Sequence, residues 1–231
     1  MTAQTVNVGD FVVLGTVVRT ATAATGFAPT SSLGNSYLSL GTISETPALI
    51  NEFTLWAGFV TTGGTDTITW NWTNAGAAVA TGTRWLGVGG TSGSTALDVA
   101  ATTNGATTGT AITSTASAST VTAGDLVIAA YGFGGPATNT LSAQAFTPAG
   151  TSFNVPDTIF QSTGTDGCTI QLSETLSGAA GNAQNFAATI NASVAWGCIL
   201  ACFKPVAVVA ATVATAFIGN QGGEVSGTCF T

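Results

Sequence analysis

Apolar and polar residues along this chain alternate with a period of two, and the 3.6-residue rhythm of a helix is almost absent. The plainest case is Thr67-Ile68-Thr69-Trp70-Asn71-Trp72-Thr73. Ile68, Trp70 and Trp72 share one face and Thr and Asn take the other, as in a half-buried antiparallel strand. A second alternation begins near Asn51, with Phe53, Leu55, Ala57 and Phe59 pointing one way and Thr54, Trp56 and Gly58 the other. Gly63-Gly64-Thr65-Asp66 separates the two, so the pattern predicts a hairpin of Phe53–Phe59 with Ile68–Trp72. Phe11 to Val18 and Leu126 to Phe133 are apolar on both faces and read as central strands covered on two sides. Arg84 to Val88 and Thr95 to Val99 read as further strands. Ala100 to Thr120 is nearly all Ala, Thr, Ser, Gly and Asn and reads as a connection with one short strand near Gly109–Ile112.

The pattern also repeats. Gly9-Asp10 opens the first apolar run and Gly124-Asp125 opens the second. Phe27-Ala28-Pro29 is echoed by Phe146-Thr147-Pro148, and the stretch around Trp85 by the stretch around Trp196, in the same order. Two similar halves, about 5–90 and 120–205, are the reading, interleaved in one β-sandwich spanning 1–205. Residues 206–231 fall outside the repeat as a C-terminal extension.

Composition narrows the function. Charged residues make up 6% of the 231 positions, with three cations, ten acids and a net charge of −7. Ordinary soluble chains carry roughly 25%. With three cations, phosphate-backbone binding lacks an electrostatic basis, so nucleic acid is not expected as a partner. The chain has no histidine, so neither a Ser-His-Asp nor a Cys-His nucleophile system can be assembled from it. A surface of Thr, Ser, Asn and Gly suits packing against copies of itself or a larger assembly, because few charges need desolvating. No run reaches the ~20 apolar residues of a membrane helix.

The candidate chemistry is thin. Asp10 and Asp125 at the repeated turn fit turn capping better than a calcium pair, because no D-x-D-x-D cluster accompanies them. Asp66, Glu45 and Glu52 lack the shared-face spacing of a glycosidase pair, and no enzyme activity is expected. Cys198 and Cys202 would share a strand face about 13 Å apart, too far for a disulfide. Free buried cysteines are expected, and a bridge through Cys168 or Cys229 stays open. No metal or cofactor is expected. Trp70, Trp72, Trp85 and Trp196 are assigned to the core. Trp56 opposes the Phe53/Phe59 face and is the candidate exposed aromatic, suited to stacking on a glycan ring.

The two Gly-Asp strands, the Phe/Pro loops, the Trp strand and the closing run Val194-Ala195-Trp196-Gly197-Cys198-Ile199-Leu200-Ala201-Cys202-Phe203-Lys204-Pro205 resemble a jelly-roll β-sandwich family. That family is found in phage virion proteins, both tail-associated and head-fibre or decoration proteins, and in bacterial surface proteins. The resemblance covers about residues 5 to 205 and carries over no catalytic residue. It implies a single jelly-roll-like antiparallel sandwich and a structural role in a virion, with other virion proteins as partners.

Met1 leads into Thr2-Ala3-Gln4-Thr5 with neither the basic region nor the apolar core of a signal peptide, so assembly in the host cytoplasm is expected. The extension starts strongly apolar, with Val206, Val208, Val209, Val213, Phe217 and Ile218. It either returns to its own sandwich or adds to a neighbouring subunit by strand addition, and the subunit contact, in a homo-oligomer such as a trimer, is preferred. A glycan-binding module and a strand-exchanging filament subunit are the alternative functions.

Overall fold

The computed structural model describes residues 3–20, 28–45, 50–72, 77–117, 122–136, 138–149, 151–152, 160–161, 167–206 and 217–218. Their regular structure is almost entirely β, with strands covering 65% of these residues and one short helix. The first half carries β1 (Gln4–Val6), β2 (Phe11–Thr20), β3 (Thr30–Ser31), β4 (Leu38–Glu45), β5 (Ile50–Phe59), β6 (Gly64–Asp66), β7 (Ile68–Thr69) and β8 (Ala77–Trp85). One helical turn, α1 (Gly93–Ala96), leads into β9 (Leu97–Thr113). The second half carries β10 (Leu126–Gly134), β11 (Leu141–Thr147), β12 (Thr151–Ser152), β13 (Phe160–Gln161), β14 (Cys168–Leu176) and β15 (Asn185–Phe203), and β16 (Phe217–Ile218) follows.

Two antiparallel sheets form a β-sandwich. The five-stranded sheet runs β16-β8-β2-β5-β4. The seven-stranded sheet runs β11-β15-β10-β14-β12, with β9 also on β15 and β13 also on β14. Alternation decides which residues meet between them. Phe11, Val13, Val17, Phe53 and Leu55 of one sheet pack on Leu126, Ile128, Ile170, Leu172, Ile199 and Phe203 of the other. The alternate residues of β2 and β10 are also buried, as their two-sided apolar runs predict. On the outside of the first sheet, Val12 and Leu14 lie under Val6, Val60, Ile68 and Trp70. On the outside of the second, Val127, Ala129, Tyr131 and Phe133 are covered with Ile112, Phe186 and Ile190.

The Gly-Asp turns are built alike. Gly9 and Gly124 have φ of 93° and 82°, a left-handed conformation that favours glycine. Asp10 N donates to Asn7 O at 3.1 Å and Asp125 N to Thr122 O at 3.3 Å. Each turn is then tied to the end of the neighbouring strand. Gly9 N donates to Val60 O and Val60 N to Asp10 O; Gly124 N donates to Ser177 O and Ser177 N to Asp125 O. Phe11 pairs with Phe59 and Trp85, and Leu126 pairs with Leu176 and Phe203.

That register corrects the matching of the halves. The counterpart of Trp85 is Phe203, not Trp196, which lies opposite Phe133 at the far end of β10. The halves also do not interleave: β2, β4, β5 and β8 form one sheet, and β10, β11, β12, β14 and β15 the other. What the structure bears out of the expected architecture is the all-β antiparallel sandwich.

Four local expectations change as well. Both edges of β5 are taken by β2 and β4, so Phe53–Phe59 makes no hairpin with Ile68–Trp72. Only Ile68–Thr69 is a strand there, and it pairs with β3. The strand expected at Arg84–Val88 begins earlier, at Ala77, and ends at Trp85, just before Gly87 turns with φ of 79°. Residues 95–99 divide between α1, whose N-cap Ser92 accepts from Thr95 N, and the start of β9. The stretch expected to be a connection belongs, as far as Thr113, to β9, seventeen residues paired with β15 through several register shifts; 118–120 lie outside the described residues. Its threonines are β-branched and favour the extended backbone, and β15 supplies the partner that local composition does not reveal.

Candidate functional site

The outer face of the first sheet holds the candidate aromatic. The alternation of β5 turns Thr54 and Trp56 away from the sandwich interior, beside Val12 and Leu14 of β2. Trp56 is half-buried, and its Nε1 donates to Thr54 Oγ1 at 3.1 Å. Thr54 Oγ1 is also 2.6 Å from Thr16 Oγ1. The chain from Val60 to Trp72 crosses this face, and Trp70 and Trp72 stack there with centroids 5.9 Å apart and planes 9° from parallel. Trp70, Trp85 and Trp196 are buried as expected, but Trp72 is half-buried on this outer face.

A polar lock fixes this loop. Asp66 is 3% exposed and accepts from Ser31 Oγ, Ser32 Oγ, Asn35 Nδ2 and Leu33 N. Burial alone would raise its pKa, but the hydrogen bonds from Ser31, Asn35, Ser32 and Leu33 outweigh it and hold the carboxyl below the ordinary value. Asn35 Oδ1 accepts from Thr61 N and Thr62 N, both at 2.9 Å, and so joins the loop to the end of β5. Tyr37 lies nearby; burial first, and then the charge of Asp66, push its phenol above the usual range.

Beside the lock opens a cleft of about 380 Å³, lined by Tyr37, Leu38 and Phe59 and by Ser36, Thr61, Thr91, Ser92 and Ser94. Its lining is aromatic and hydroxylic, with no charged residue. Tyr37 and this cleft went unnoticed in the sequence, where the only signal is a lone aromatic in a polar stretch.

The carboxylates named earlier do not converge. Glu45 lies opposite Asn51 and Glu52 opposite Ser44, so the two glutamates take opposite faces of the sheet. Burial raises the pKa of each. Among the described residues, no group of three His, Cys, Asp or Glu side chains is placed to hold a metal. Cys168, Cys198 and Cys202 are buried, and Cys229 lies outside the described residues.

The extension leaves the sandwich along the segment after β8. Val88 bridges Pro205, Gly89 N donates to Lys204 O, and Val206 N donates to Gly87 O. Val206 is exposed. Val208, Val209 and Val213 lie outside the described residues. The backbone of Phe217 and Ile218 pairs with Arg84 and Thr83 on the side of β8 away from β2. The pairing the structure records is thus with the chain's own edge.

No family model, curated protein or solved structure matches the chain.

Proposed function

We propose that this chain is a non-enzymatic structural protein of a phage particle, a head-decoration or head-fibre sandwich or a tail-associated one, acting by self-association. The observation that carries the reading is the strand pairing of Phe217–Ile218 along β8, after a segment that starts from an exposed Val206. The same ladder accepts a tail from a neighbouring copy without new chemistry, because strand addition uses backbone groups alone. The scarcity of charge supports burial of such a surface between subunits, and the motif order supports the virion setting.

Deleting residues 206–231 and measuring mass by sedimentation tests it. The full chain is expected to sediment as an oligomer and the truncated chain as a monomer. An oligomer of unchanged mass would overturn the tail's role.

The cleft favours one second reading, a glycan-binding module. Aromatic Tyr37 and Phe59 among hydroxyl-bearing residues suit a sugar, whose CH face stacks on rings while its hydroxyls exchange hydrogen bonds. Glycan-array binding lost in both Trp56→Ala and Tyr37→Ala would favour this reading over the first.

A further inference from the structure

The two Gly-Asp turns share a backbone but not a charge balance. In the first, Asp10 Oδ2 accepts from Asn7 N at 2.7 Å and pairs with Arg84 Nη1 at 2.8 Å. In the second, the residue matching Arg84 is Cys202, since Val12 lies opposite Arg84 and Val127 opposite Cys202. The amide matching that of Asn7 belongs to Thr122, and it donates at 2.6 Å to Asp98 Oδ2 instead. Asp125 is fully buried, and among the described residues neither Oδ1 nor Oδ2 makes a well-formed hydrogen bond, the nearby Thr122 amide being directed to Asp98. Asp98 Oδ2 accepts from both the amide and the hydroxyl of Thr122, at 2.6 and 3.1 Å, and Thr122 O accepts from Asp125 N, so the two carboxylates flank one residue. They hydrogen-bond only if a proton stands between them, because ionised carboxylates solely accept.

We propose that Asp125 keeps a proton and donates it to Asp98, so that protonation neutralises Asp125 where Arg84 neutralises Asp10 in the first half. The second turn is then a pH-sensitive joint, locking the start of β9 to the turn before β10 in its protonated form.

The surroundings support a proton on Asp125. Burial first, and then hydrogen bonding to Asp98 and the charge of Asp98, raise its pKa to about 7; the Thr122 amide and Lys204 oppose this and are outweighed. The titratable and charged groups facing it are Asp98 from β9, Cys202 from β15 and Lys204 just beyond. Ser177, at the end of β14, uses its Oγ to accept from Asp125 N and to donate to Thr122 O, so it offers the carboxylate no proton. A folded-state pKa above the unfolded 3.8 means that only the folded chain keeps this proton between those values. The stabilisation is complete below the unfolded value and is lost as pH rises through about 7.

Carboxyl-carbon NMR titration of the full chain tests the pairing. Asp125 is expected to titrate with a midpoint near neutrality, and a midpoint in the ordinary aspartate range would overturn the proposal. Asp98→Asn, whose amide donates to Asp125, is expected to lower that midpoint by at least one pH unit, and an unmoved midpoint counts against the shared proton. In denaturant melts from about pH 5 to 8, Asp125→Asn is expected to remove part of the wild-type loss of stability, and equal slopes would overturn it. A calcium-induced stabilisation at pH 8 that Asp125→Asn abolishes would overturn it in another way, by showing a metal ion where the proton is placed.

Discussion

Arg84 holds Asp10 across two strands, Nη1 to Oδ2 at 2.8 Å, with the two side chains 13% and 2% exposed. The same Nη1 donates to Thr5 O at 3.0 Å, so one guanidinium ties β1, the Gly-Asp turn and β8 together. Removing the cation leaves a buried carboxylate with one amide donor. Arg84→Ala is expected to cost about 3 kcal/mol, the usual penalty for stranding one partner of a buried pair. A lower urea midpoint with an unchanged m-value is the signature to look for.

Phe53 packs against a residue that has no side chain to resist it. A Cβ at Gly197 would lie 2.5 Å from the Phe53 ring. Gly197→Ala is therefore expected to destabilise by about 1–3 kcal/mol through overpacking. Phe53→Leu in the Gly197→Ala background should recover part of that loss, and a double-mutant cycle with no coupling would contradict the contact.

The Asp66 lock carries its own pH dependence. The folded-state pKa is depressed below the ordinary 3.8, so its stabilisation is present above that value and lost as pH falls through the folded one. Asp66→Ala is expected to cost about 2 kcal/mol at neutral pH, because Asn35 and the serines lose a shared charged acceptor. The mutant and wild-type stability curves should converge in acid, measured by denaturant melts at decreasing pH.

Cys198 and Cys202 are predicted to be inert in the native chain. Burial pushes the Cys198 thiol above the normal range, and burial, with Asp125 and Asp98 adding to it against a hydrogen bond from Ser117, carries Cys202 to about 12. Thiolate is the reactive form. Labelling with a thiol reagent should leave both unmodified until denaturant is added; rapid native labelling at either would contradict the placement.

Much of the sandwich was legible in single strands. Phe11–Val18 and Leu126–Phe133 announced central strands because both of their faces are apolar, and both are buried throughout. The Gly-Asp turns were legible because the φ of Gly9 and Gly124 suits glycine and the strand after each begins at once. What stayed hidden was pairing. Nothing local in Leu97–Thr113 reveals that β15 lies beside it, and two tryptophans in similar settings drew the halves together seven residues out of register. The second turn was hidden for the same reason: Asp98 has no motif, and only the fold brings it beside Asp125.

Each half keeping to its own sheet has a consequence for the order in which the molecule assembles. Apart from β16, every pairing of the first sheet joins residues between Phe11 and Trp85. A chain emerging N-terminus first can therefore close that sheet before β10 exists, while β10 gains β14 only at Cys168–Leu176 and β15 only at Asn185–Phe203. During that interval Val13, Val17, Phe53 and Leu55 face water, an apolar sheet surface with no lid. Nascent-chain crowding, more than the finished fold's stability, is then the stage at which this protein is most exposed to aggregation.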